Sequence, residues 1–361
     1  MAEYWLERQQ NSIIDFLNFV SARDFPMSKN VKFILLTSSK NLLVLFREWL
    51  PYKYSLESLN IVDNFHTYRL KKEIKRSGEI YYKSGIFYLF RYEQTNMYVI
   101  VTLEKQDFVN TILFPFVNSK YSEIAKIHLS SKQIKEILGV LKEELDLDGI
   151  RTYWALMKGI LDNKITKFGT KDKESISKHT DEPYLDTFRR AAERNEWVDK
   201  IYFYAKKNFD RIFKASIARN GLFQCENLVA IDFYNVVVKS LLRISNKNFK
   251  VFKDKSRERN EGEIKPLSIK YDINLFSDDS QNKRFIEMIS DFPNSSYSLY
   301  HGNPYIHLSL VDYSDGSSYE IWVVTENEVV IIPQFRASIN SISRLTEHVF
   351  NKFSEGILVE L

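Results

Sequence analysis

The 361-residue chain holds a single cysteine, Cys225, which excludes an internal disulfide and any multi-cysteine zinc site. Its neighbours Phe223, Gln224 and Glu226 supply no cation that would activate the thiol. With only 11 glycines and 8 prolines, collagen-like, flexible-linker and proline-rich disordered organisations are excluded. No two glycines lie within six residues of one another, so neither Gly-x-Gly-x-x-Gly nor a P-loop is present. His-Glu-x-x-His and Gly-x-Ser-x-Gly are absent too, and no cofactor is expected. No run approaches the ~18–20 apolar residues of a membrane span. The opening residues, Met1-Ala2-Glu3-Tyr4-Trp5-Leu6-Glu7-Arg8, lack the basic and apolar segments of a secretory signal. A cytoplasmic location without a membrane partner is the expectation.

What is present is an ordinary folded composition, 44% hydrophobic and 27% charged, long enough for two or three domains. Charge is unevenly spread. The formal net is +2 over residues 1–150, +9 over 151–262 and −7 over 263–361. A basic middle beside an acidic end points to polyanion binding, or to one part docking on another.

Periodicity predicts an α+β chain of several domains, mainly antiparallel sheets with flanking helices. An N-terminal α+β domain is expected over 1–149. It has amphipathic helices over 3–22 and 131–145, a helix over 106–117, and strands at 79–83, 86–92 and 97–103 joined through Ser84-Gly85 and Gln94-Thr95-Asn96. A basic α+β domain is expected over 150–253, with a polar loop over 158–180, a helix after Pro183 capped by Asp181, and one long helix over 230–252. Residues 254–265, with Ile264 the one apolar side chain, read as a linker. An acidic α+β domain follows over 266–361. Its expected order, β-α-β-β-β-β-α, resembles that of the TATA-binding-protein half-domain and related helix-grip folds, a resemblance of topology alone.

The basic helix carries the functional expectation. Lys239, Arg243, Lys247 and Lys250 recur at spacings of four, four and three and share one face, opposite Val238, Leu241, Leu242, Phe249 and Phe252. Like charges so spaced repel, and a phosphate backbone relieves that repulsion while releasing counterions. Lys164, Lys167 and Lys171, in the polar loop, are expected to assist. Such contacts set affinity without reading sequence. A nucleic-acid-binding protein, DNA or RNA, is therefore the leading expectation, with residues 266–361 as a protein-partner or self-association module.

Two alternatives remain. His128-Leu129-Ser130 and His307-Leu308-Ser309 repeat the His-x-Ser triplet with which two-histidine phosphoesterases hold phosphate and move protons, which would make His128 and His307 catalytic in a phosphodiesterase or nuclease-like enzyme. Asp312 is another partner available to His307. Opposed to this, Ser130 is placed to cap the following helix. The other alternative is a non-catalytic interaction scaffold. Aspartates 312 and 315 beside His301 and His307 read as turn formers, and no metal site is expected. The aromatic run Tyr82, Ile86, Tyr88, Phe90 and Tyr92 reads as one face of a sheet buried on both sides.

Overall fold

The computed structural model describes residues 10–22, 25, 30–48, 50–76, 79–120, 122–159, 165–169, 181–258, 263–303 and 305–360. The fold is α+β, with two mainly antiparallel sheets of twelve and six strands. Two compact units divide the chain. One comprises Met1–Met157, Lys167–Ala192 and Val198–Asn246; the other comprises Lys158–Thr166, Glu193–Trp197 and Lys247–Leu361. No helix among the described residues is long and apolar enough to cross a membrane.

The chain opens with α1 (Ile13–Ser21), capped by Ser12, β1 (Asn30–Ser38) and α2 (Leu42–Glu48). The part of the first expected helix before residue 10 lies outside the described residues. A meander follows: β2 (Tyr54–Val62), β3 (Phe65–Arg76), β4 (Glu79–Arg91) and β5 (Met97–Thr102). The expected turn at Ser84-Gly85 is absent, because β4 runs straight through it, with Gly85 opposite Leu70. The glycine serves close packing: a Cβ there would sit 2.6 Å from the Phe108 ring. Residues 106–118 form α3, with a π-helical turn at Val109–Leu113.

After β6 (Ile124–Lys126) comes α4 (Ser131–Glu144). Ser130 caps it in a reciprocal box: its hydroxyl accepts the Gln133 N–H at 3.1 Å, and the Gln133 side chain accepts the Ser130 N–H at 2.9 Å. Then follow β7 (Gly149–Gly159), β8 (Ile165–Gly169), β9 (Glu182–Pro183), α5 (Tyr184–Glu193), β10 (Glu196–Lys207), β11 (Asp210–Ala218) and β12 (Leu222–Glu226). Residues 165–169, expected within a loop, pair as an edge strand next to β7. Asp181 does not cap α5. Its carboxylate binds the Arg151 guanidinium at 2.7 Å and the Tyr204 hydroxyl.

The large sheet has the order β2-β3-β4-β5-β1-β12-β11-β10-β7-β8, with β6 on β1 and β9 on β7. Its centre is β1, Val31 to Ser38 buried throughout, with β5 on one side and β12 on the other. Strands from before and after residue 149 therefore share one sheet, and the expected 149/150 division lies inside it. On one face, Ile34, Phe87, Leu89 and Ile100 pack under α2 and α3. On the other, Phe33 stacks on Phe233 and Tyr234 at ring separations of 6.3 and 6.1 Å. Both sides of the second half of β4 are buried, as its unbroken apolar run implies.

Ala230–Phe233, a π-helical turn at Tyr234–Val238 and Lys239–Lys255 form one continuous helix, α6. The second sheet contains β13 (Leu267–Lys270), β14 (Ser295–His301), β15 (Ile306–Asp312), β16 (Ser317–Thr325), β17 (Glu328–Pro333) and β18 (Ile357–Glu360), in the order β14-β15-β16-β17-β13-β18. Helices α7 (Asp279–Ser290) and α8 (Ile339–Lys352) bury Phe285, Ile289, Leu345 and Val349. Strand β18 was not expected, and it gives this sheet one strand more than the order read from the sequence.

Candidate nucleic-acid interface

Helix α6 is amphipathic, as its period demands. Leu241, Leu242, Ser245, Phe249 and Phe252 are buried, whereas Arg243, Lys247 and Lys250 are exposed along one face. Lys239, one turn before Arg243, is half-buried, its ammonium 5.4 Å from the centre of the Tyr234 ring. Among the described residues, no carboxylate lies within ion-pair distance of Arg243, Lys247 or Lys250. Lys247 and Lys250 border a surface groove of about 690 Å³ whose rim also carries Asp254, Lys255 and Lys265. On that rim Lys265 pairs with Asp254 at 2.6 Å. Lys164 and Lys171 lie outside the described residues, and the described backbone puts Lys167 on β8.

Several other cations of 151–262 are answered by carboxylates. Arg151 pairs with Asp181 at 2.7 Å, Arg189 with Asp186 at 2.8 Å, Arg190 with Glu182, and Lys207 with Asp146 at 3.4 Å. Arg219, 1% exposed, donates from Nε to the Leu129 carbonyl at 3.0 Å and has Asp199 at 3.9 Å. The net of +9 thus overstates the charge that faces outward.

His128 and His307 belong to different compact units, and each is held by its own surroundings. The Arg219 guanidinium lies 2.9 Å from Nε2 of His128, which must accept and is therefore unprotonated at that nitrogen. His307 contacts the Glu320 carboxylate through Nε2 and stacks on Trp322, the ring centres 3.8 Å apart. Asp312 lies on the opposite face of β15, fully buried and bound by Arg344 and by the Ser341 hydroxyl at 2.8 Å. Burial pushes its carboxyl upward, but Arg344 and Ser314 outweigh it and hold Asp312 below the usual carboxylate range. Asp315 is likewise engaged, with the Ser338 hydroxyl at 2.5 Å and Arg344 at 3.7 Å. Among the described residues no cluster of three or more His, Cys, Asp or Glu is arranged to hold a metal.

A surface not anticipated from the sequence lies on the large sheet. Pairing aligns Lys32, Gln224, Ser216 and Tyr202 in one row across β1, β12, β11 and β10. Alternation along β10 adds Lys200, Tyr204 and Lys206 to the same face. The Lys200 ammonium lies 4.7 Å from the Tyr202 ring centre, and the Lys206 ammonium 5.6 Å from that of Tyr204. Tyr153 on β7 joins them, its ring 6.0 Å from Tyr202 and 6.5 Å from Tyr204. Burial first, then the Asp181 carboxylate, pushes the Tyr204 hydroxyl up to about 12; burial, then Tyr202 and Glu226, does the same for Tyr153, also to about 12. The local signal was the strict Lys-x-Tyr-x-Tyr-x-Lys alternation of residues 200–206. Its meaning depends on β12 and β1, which only the register brings alongside.

The row opens into a cavity of about 880 Å³, lined in part by Asn30, Lys32, Lys83, Glu104, Tyr202 and Gln224. Lys32 is buried and donates to the Glu104 carbonyl at 2.6 Å, while Lys83 pairs with Asp107 at 2.6 Å. No protein-family model matches this chain, and no curated protein matches it.

Proposed function

We propose that the chain binds nucleic acid through phosphate contacts made by Arg243, Lys247 and Lys250 of α6, with Lys239 completing the row and the Lys164–Lys171 segment assisting. The observation that carries this reading is the exposure of three cations on one helix face with no carboxylate of the described residues paired to them. Left in water, that face keeps the repulsion of like charges one turn apart. A phosphate backbone removes the repulsion and gains the entropy of released counterions. A reducing, cytoplasmic setting accords with the single thiol, Cys225, which is wholly buried.

The acidic C-terminal unit enters this reading as a protein-partner or self-association module. Supporting it is β14, an edge strand whose seven residues carry no lysine, arginine, aspartate, glutamate or proline, with all but Ser295 exposed. Such an edge, with unpaired backbone groups and no charge to repel a second strand, invites strand addition. Light scattering should find concentration-dependent association of the full chain, reduced by Ser298→Lys. A strict monomer at all concentrations would remove the module from the account.

The direct test of the α6 reading is a salt titration of binding to duplex DNA. Three phosphate contacts contribute about −2.7 to the slope of log K against log salt. Reversing Arg243, Lys247 and Lys250 to glutamate should flatten the slope by about that amount. An unchanged slope and affinity would reject these residues as the contact.

A further inference from the structure

We infer that the Lys32–Gln224–Ser216–Tyr202 row and its neighbours on β10 form a second site, one that takes single-stranded nucleic acid by stacking its bases on Tyr202. The inference rests on the nucleic-acid reading above and adds the form of the nucleic acid and the surface that meets its bases.

The site combines the three elements that single-strand recognition requires. The first is an aromatic platform: Tyr202, half-buried and forming one wall of the cavity, with Tyr153 and Trp154 buttressing it at 6.0 and 5.2 Å between ring centres. The second is cationic flanking. Lys200 and Lys206 stand at either side of the tyrosines, and among the described residues neither has a carboxylate within ion-pair distance. The third is amide chemistry. Asn30 and Gln224 on the cavity wall present both donors and acceptors, which match the edge of an unpaired base. A base that takes the face of Tyr202 displaces the Lys200 ammonium toward the next phosphate, so stacking and charge pairing reinforce one another.

The geometry disfavours duplex at this site. Bases in a duplex stack on one another and offer no free face to a tyrosine, whereas phosphate tracking by α6 needs no exposed base. Phe33, whose rings Phe233 and Tyr234 of α6 cover, alternates with Lys32 along β1, so the row and that part of α6 address opposite faces of the sheet.

The test uses the full chain, a fluorescein-labelled oligothymidylate and a duplex of equal length. Tyr202→Leu should weaken oligothymidylate binding about fivefold or more and leave duplex binding unchanged, while Tyr202→Phe keeps both. Lys200→Glu with Lys206→Glu, which leaves the platform in place, should flatten the single-strand salt slope by about 1.4. Unaltered single-strand affinity in both variants, or equal losses on both probes for Tyr202→Leu, overturns the inference. If duplex binding responds to charge reversal on α6 and the β10 variants change nothing, the α6 reading stands and this site falls. If the wild-type chain binds neither probe, both fall.

Discussion

Ile34 and Lys32 lie two residues apart on β1 and point to the same side of the large sheet, yet they belong to different surfaces. Ile34 pairs with Ile100 and is fully buried beneath α2 and α3, with Phe87 and Leu89 beside it. Lys32 pairs with Gln224 and heads a row of polar and aromatic side chains. The alternation is the same in both halves. What changes is the helix above: under α2 and α3 the inward positions are Ile, Leu and Phe, and beyond them the same positions become Lys, Gln, Ser and Tyr. Lys32 and Ser216 of the row are buried too, so the two halves differ in polarity rather than in exposure.

The comparison breaks most readily in the covered half. Phe87 is fully buried, with the Tyr68 ring at 5.4 Å and Phe46 at 6.3 Å. Phe87→Ala should cost about 3–5 kcal/mol in urea unfolding, the sum of lost burial and the cavity left behind. A smaller loss follows from crowding the same half: Gly85→Ala drives a methyl into Phe108 and should destabilise by about 1–3 kcal/mol. A change under 0.5 kcal/mol in either variant would mean that α2 and α3 do not seal this half.

A pH experiment sharpens the contrast further. His66 lies on the covered face, with the Tyr68 hydroxyl at 2.9 Å from Nδ1 and the Asp63 carbonyl at 3.2 Å from Nε2. Burial holds its pKa below the ordinary histidine value, with Arg47 adding to the effect and the Asp63 carbonyl opposing it. The sign follows from linkage. The unfolded state takes the proton more readily, so the contribution of His66 is complete above about pH 6.5 and is lost as pH falls through and below that value. Thermal unfolding should show a falling midpoint between neutral and mildly acidic pH, and His66→Gln should reduce the dependence. The smallest effect belongs to the polar half. Lys200→Ala and Gln224→Ala should each change stability by no more than about 0.5 kcal/mol, because neither side chain holds a helix in place.

Much of this arrangement was legible from local pattern. The three-and-four spacing of α6 gave both its buried and its basic face, and Ser130 announced the start of α4. The order of elements from β13 to α8 followed from alternation and turn residues, whereas β18 did not. What local pattern missed was set by partners far away in sequence. Strand β12 has five residues, and its place between β1 and β11 depends on pairing across nearly 200 positions. Gly85 reads as a turn until Phe108 is seen against it. The charge count was similarly incomplete. Arg151, Arg190 and Arg219 contribute to the basic total, but their carboxylates neutralise them inside the fold. Lys32 and Tyr202 are 170 residues apart, and only the register of four strands makes them neighbours.

The most direct test of the contrast between the two halves is photo-crosslinking of the full chain to a single-stranded oligonucleotide carrying 5-iodouracil, with the adduct mapped by mass spectrometry. The account predicts an adduct at Tyr202 in the β10 peptide, lost in Tyr202→Leu. Adducts confined to other aromatics, such as the exposed Tyr300 of β14 or Trp322 of β16, would contradict it.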